Sequence, residues 1–193
     1  MARKLPRKTM IIIDCAVVAV LILVALFVYA ETRTNSPGGP QTPTSYAIQG
    51  ITAFKSGNLP LAESLFKKEI AAAGSVKSKE GLGYYNLGTV AVRLQGVNQG
   101  IKDYQTAISL SPRFPVAWMT LAITEASIHN TTLALEDYNS VLAFDPNLPQ
   151  GLFNSGVILY DQGSKAEGIA RIDKAIQLQP TLSSQLPKNI NLS

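Results

Sequence analysis

Apolar and polar positions follow three different rules along the 193-residue chain. Residues 10–30, MIIIDCAVVAVLILVALFVYA, are apolar at every position but Asp14, and about 20 such residues are what a helix needs to cross the hydrocarbon of a bilayer. Residues 31–45, ETRTNSPGGPQTPTS, hold three prolines and two glycines and no apolar side chain able to seed a core. From residue 46 to 182, apolar side chains recur at helical spacing, in runs broken by polar turns such as DQGSKAE at 161–167. The pattern predicts a membrane or signal helix, a linker over 31–45, and an all-α domain of antiparallel helix pairs.

The runs repeat with a fixed period. SLSPRFPVAW at 109–118 returns 34 residues later as AFDPNLPQGL, so Pro112 and Pro115 are answered by Pro146 and Pro149, with Pro180 another 34 residues on. A proline cannot continue a helical hydrogen-bond ladder and turns its predecessor away from α geometry, so Pro112, Pro146 and Pro180 are expected to close each second helix. Tyr84, Trp118 and Leu152 share a column with this spacing. Gly88, Ala122 and Gly156 form a small column, and Gly100, Ala134 and Gly168 a second one. The small residues are expected where the two helices of a pair cross. Ser164 with Glu167 has the spacing of a capping box for the last second helix. An earlier copy, offset by 38, carries Tyr46, Gly50, Ala62 and Phe66, with Glu69 where a small residue is usual and four extra residues at 77–80.

A 34-residue unit with a large residue, a small one four later, another small one twelve beyond that and a terminal proline resembles the tetratricopeptide repeat, most clearly at YYNLG, residues 84–88. The resemblance covers about 136 residues, in repeats 43–76, 81–114, 115–148 and 149–182 of a domain spanning 43–182. It implies a right-handed superhelical solenoid of about four helix hairpins. In that family the first helices line a concave groove that accepts a peptide or protein partner. Carried over by spacing, the groove residues are Ile51 and Phe54, then Tyr85, Thr89, Val92 and Arg93, then Met119 and Ile123, and last Phe153, Val157 and Tyr160. For a cluster gripping a carboxyl terminus, the same helices supply only Lys55, Asn86 and Arg93. The tail 183–193 is too short for a full capping helix, so the last helix, about 166–178, is expected to expose its outer face or to meet a partner, a second copy included.

Charge changes the picture mainly at the start. Of the excess that makes the formal charge +4, Arg3, Lys4, Arg7 and Lys8 lie in residues 1–9, while residues 45–193 hold twelve Lys or Arg against eleven Asp or Glu. A nearly neutral domain without a basic patch argues against a nucleic-acid partner. Four basic residues before the apolar span, against Arg33 alone in the fifteen after it, predict a single-pass anchor with its amino terminus in the cytoplasm and the repeats outside it. The uninterrupted run from Cys15 to Ala30 exceeds a signal-peptide core, although Val28 and Ala30 fit a cleavage pattern. Cys15 is the sole cysteine, so the domain contains no disulfide.

Chemistry is not visible in the residues. His129, the only histidine, sits in the turn SIHNTT and has no second histidine or domain cysteine with which to hold zinc. Glu136 and Asp137 are adjacent on a helix and read as solvated surface. Catalytic, metal and cofactor residues are therefore expected to be absent. The expectation is a membrane-anchored, non-enzymatic interaction scaffold or assembly factor. Its alternatives are a chaperone-like binder of unfolded clients and a secreted accessory domain released by cleavage.

Overall fold

The computed structural model describes residues 41–192. The basic stretch 1–9, the apolar span 10–30 with Asp14 and Cys15, and the linker up to residue 40 lie outside the described residues. Among those that are described, the secondary structure is helical throughout: α1 Pro43–Lys55, α2 Leu59–Ala73, α3 Lys77–Leu94, α4 Val97–Leu110, α5 Pro115–Ser127, α6 Thr131–Phe144, α7 Pro149–Asp161 and α8 Lys165–Leu178, followed by a 3-10 helix at Pro180–Gln185. No helix among them is long and apolar enough to cross a membrane.

The spaced prolines do two jobs. The second helices stop at Leu110, Phe144 and Leu178, and the residue before each closing proline has left α geometry: Ser111 (φ −140°, ψ 77°), Asp145 (−132°, 86°) and Gln179 (−140°, 89°). A following proline disfavours the α region in this way. Pro115 and Pro149 then start α5 and α7, where a missing N–H costs nothing because the first turn has no intrahelical acceptor for it. The four additional residues 77–80 do not loop out; they lengthen α3 by about one turn.

The turns inside the pairs share one hydrogen bond. The N–H of Asn58, Gly96, Asn130 and Ser164 reaches back five residues to the carbonyls of Ala53, Ala91, Glu125 and Leu159, at 2.9, 2.9, 3.0 and 2.9 Å. This closure satisfies carbonyls at the helix end and usually places one residue in the left-handed region. Gly163 (φ +95°) does so in the last pair, and His129 (φ +64°) in the third. Ser164 is the N-cap of α8, but its side chain makes no capping bond, and the Glu167 carboxylate instead accepts from Arg171 at 2.9 Å. The expected S-x-x-E box is therefore not formed. A reciprocal box is made instead by Thr42 and Ser45 at the start of α1.

The chain divides between Thr120 and Leu121, inside α5, into two compact units. In the first, Ile51, Ala53, Phe54, Ala62, Leu65, Phe66 and Val90 form a buried apolar cluster, with Tyr46, Leu59 and Leu87 packed on it. In the second, Leu152, Phe153, Ile172, Ala175, Leu182 and Ile190 form the core, supported by Leu142, Val157, Tyr160, Ile176, Leu186 and Leu192. Residues 182–192 thus belong to the second core. The segment following α8 covers part of this unit itself, an outcome beyond the two expected for its last helix.

The small columns lie where the helices of a pair come closest. A Cβ added to Gly168 would sit 2.6 Å from the Gly156 carbonyl oxygen and 2.7 Å from the Tyr160 nitrogen. One added to Gly100 would meet the Gly88 carbonyl oxygen at 3.0 Å and run into Val92. These are backbone contacts, so only glycine permits this separation of the axes.

Candidate protein-binding surface

The eleven residues assigned to the groove by spacing fall into two groups once they are placed. Ile51, Phe54, Tyr85 and Phe153 are 2–5% exposed. They are parts of their units' cores, since the apolar area they bury against their own neighbours leaves none for a partner. Tyr85 shows why: its ring lies 5.8 Å from that of Tyr104 and 5.3 Å from that of Phe114, and its hydroxyl is 3.5 Å from Thr120 Oγ1. Burial pushes the Tyr85 phenol up to about 12, so it stays neutral at any ordinary pH. Val92 faces its own pair, filling the space over Gly100.

The others remain at least partly accessible. Thr89 is half-buried and accepts from the Tyr104 hydroxyl at 3.4 Å. Arg93 is exposed, with its guanidinium 4.6 Å from the centre of the Phe54 ring. This cation–π contact draws Phe54 and Arg93 into one feature of the first unit. Met119 and Ile123 are half-buried. Asn86, one of three residues suited to a carboxylate clamp, is 2% exposed and is committed to Glu69: its Nδ2 lies 3.0 and 3.3 Å from the two carboxylate oxygens. Glu69 occupies the column filled by Ala107, Val141 and Ala175 in later repeats, and burial raises its carboxyl to about 7 despite the Asn86 bond.

In the second unit, Val157 and Tyr160 are half-buried against the same apolar cluster as Leu186 and Leu192. The Tyr160 hydroxyl donates to the Asn189 carbonyl at 3.1 Å, its ring lies 5.5 Å from Lys165 Nζ, and Asn189 Nδ2 reaches Asp161 Oδ1 at 3.4 Å. This end of α7 already has an occupant. The period extends that far: Leu182 continues the Phe114 and Leu148 column, and Leu186 that of Trp118 and Leu152. Asp137 also departs from expectation. It is half-buried, and burial first, then the Glu125 and Glu136 charges, raises it to about 7. Among the described residues no group of three His, Cys, Asp or Glu side chains is placed to hold a metal ion.

Comparison with known proteins agrees with this architecture. No family model matches the chain. It is 31% identical over 102 residues to the photosystem I assembly protein Ycf3 of Acaryochloris marina, covering 51% of this chain and 61% of that protein. To Ycf3 of Cyanophora paradoxa it is 30% identical over 95 residues, covering 48% and 55%. The chain therefore spans little more than half the length of these relatives. Among solved structures, MamA superposes with a TM-score of 0.62 at 18% identity, covering 85% of this chain and 89% of that one. YrrB, described as a TPR protein with an unusual peptide-binding site, gives 0.59 at 23% identity over 75% of each chain. A tetratricopeptide repeat protein from Parabacteroides merdae gives 0.65 at 19%, covering 73% of this chain and 55% of that one. The fold is that of the tetratricopeptide repeat proteins.

Proposed function

We propose that this chain is a non-catalytic scaffold or assembly factor that holds protein partners on the first-helix surfaces of its repeats. The observation that carries the reading is the match to an assembly protein over 102 residues, in a chain with the tetratricopeptide fold. The accessible first-helix residues suit the role. Arg93 is exposed, and Met119, in the same unit, presents partly exposed apolar surface of adaptable shape. Residues 10–30 would tether the protein to a membrane as a single-pass anchor. The repeats would then work on the extracytoplasmic side, held off the bilayer by a linker reaching about 20 Å as a coil and about 45 Å if extended.

Photo-crosslinking residues placed at Arg93 and Met119 in intact cells, followed by mass spectrometry of the adducts, test the reading. One dominant protein at both positions is the expected result. A broad set of unfolded clients would make the protein a chaperone instead, and no adduct from either position would remove the binding surface. Alkaline extraction of membranes from the same cells tests the tether, because a spanning anchor keeps the chain in the pellet.

A further inference from the structure

The segment after α8 has two parts that are held in different ways. Leu182, fully buried, lies in the 3-10 helix that follows α8 after the non-helical Gln179. Beyond Leu186 the chain makes a turn, Pro187-Lys188-Asn189-Ile190, closed by the Ile190 N–H on the Pro187 carbonyl at 3.0 Å. This turn sets Ile190, 4% exposed, into the cluster with Leu152, Phe153 and Ile172. It also sets the Asn189 carbonyl on the Tyr160 hydroxyl and the Asn189 amide on the Asp161 carboxylate. Its backbone N–H bonds remain local: Leu186 donates to Ser183 and Ile190 to Pro187. Lys188, Asn189 and Asn191 are exposed. One inserted side chain, two flanking leucines and two side-chain hydrogen bonds hold seven residues, with no ladder to a helix. That is the construction of a segment at the low-stability end of a fold.

We propose that residues 186–192 are a detachable internal ligand of the α7 face, occupying a site that takes a partner peptide in which an amide-bearing residue directly precedes an aliphatic one. The site reads three features of such a peptide. An aliphatic side chain enters between Leu152, Phe153 and Ile172; the carbonyl before it accepts from Tyr160; and a side-chain N–H donates to Asp161. A partner segment with this chemistry competes with the chain's own Asn189-Ile190, so its apparent affinity is reduced by the fraction of time the internal segment is bound. This deepens the scaffold reading and rests on it. It concerns the second unit alone, however, whereas the crosslinking positions Arg93 and Met119 lie in the first, so either reading can fail without the other's test changing.

Two measurements on the full chain decide the matter. In hydrogen exchange, the amides of Leu186 and Ile190 should exchange at least 100-fold faster than those of Phe153 and Ile172. In fluorescence anisotropy, a labelled peptide of sequence SQLPKNINLS, residues 184–193, should bind an Ile190→Asp chain at least tenfold more tightly than the unsubstituted chain. Adding Tyr160→Phe should weaken that binding. Exchange of all four amides in one cooperative opening would make the segment a fixed cap and overturn the proposal. So would an Ile190→Asp chain that stays folded and ignores the peptide, or one whose second unit melts.

Discussion

The turn of the third helix pair places a side chain where the last pair has glycine. His129 takes φ +64° in the position that Gly163 fills one repeat later at φ +95°, and it is exposed, so no packing compensates the strain on its backbone. A left-handed residue with a Cβ costs about 1–2 kcal/mol, and glycine returns part of that through its larger unfolded-state entropy. The substitution His129→Gly should therefore raise stability by about 0.5–1 kcal/mol, seen in thermal unfolding as an increase of roughly 1–4 °C. The measurement needs His129→Ala beside it, because alanine keeps the strain and should change little. If alanine and glycine shift the midpoint equally, the imidazole and not the backbone is responsible. The same residue shows where single-site reasoning stops: its backbone strain depends on a closure pattern that appears only when the four turns are compared.

Between elements, the decisive contacts are the glycine crossings, and they differ in what would give way. An alanine at Gly50 would press on the Phe66 ring, which can rotate, but one at Gly168 would press on the backbone of Gly156 and Tyr160. Gly168→Ala should force α7 and α8 apart and cost about 2–3 kcal/mol in denaturant unfolding, more than overpacking a site with a mobile neighbour. Ala122 and Ala134 occupy the corresponding positions of the third pair, so Ala134→Gly should cost only about 1 kcal/mol, from helix propensity. An equal response at the two sites would show that the crossing is not set by its small residues. These columns, and the prolines that bound them, make the helix pairs legible in the sequence, because a 34-residue period constrains many positions at once. The candidate surface was less legible. Periodicity says which face of a first helix a residue occupies, but not how much of that face its own unit covers. Tyr85 and Phe153 were therefore assigned to a groove when Phe114, Thr120 and Leu182 bury them. The insertion at 77–80 was readable as four extra residues, although its one-turn extension of α3 was not.

For the molecule as a whole, the two strongly shifted carboxyls, one in each unit, set an unusual dependence on pH. Glu69 in the first unit and Asp137 in the second are both raised to about 7, in each case mainly because burial disfavours the charged form. In the unfolded chain both titrate near 4. Between about pH 4 and pH 7 the unfolded state has therefore released protons that the folded state still holds, so each rise in pH favours unfolding. Their contribution is fully present below pH 4 and lost as the pH passes through 7. From pH 5 to pH 8 the loss should be on the order of 2 kcal/mol for Glu69 and smaller for the half-buried Asp137. The chain should thus be more stable at pH 5 than at pH 8, and urea unfolding at both values measures the difference. Glu69→Gln keeps an oxygen for Asn86 and removes the titration, so it should flatten the profile for the first unit while leaving stability at pH 5 nearly unchanged; Asp137→Asn should do the same for the second. If the Glu69→Gln chain retains the full loss between pH 5 and pH 8, the buried carboxyl is ionised throughout and the dependence comes from elsewhere.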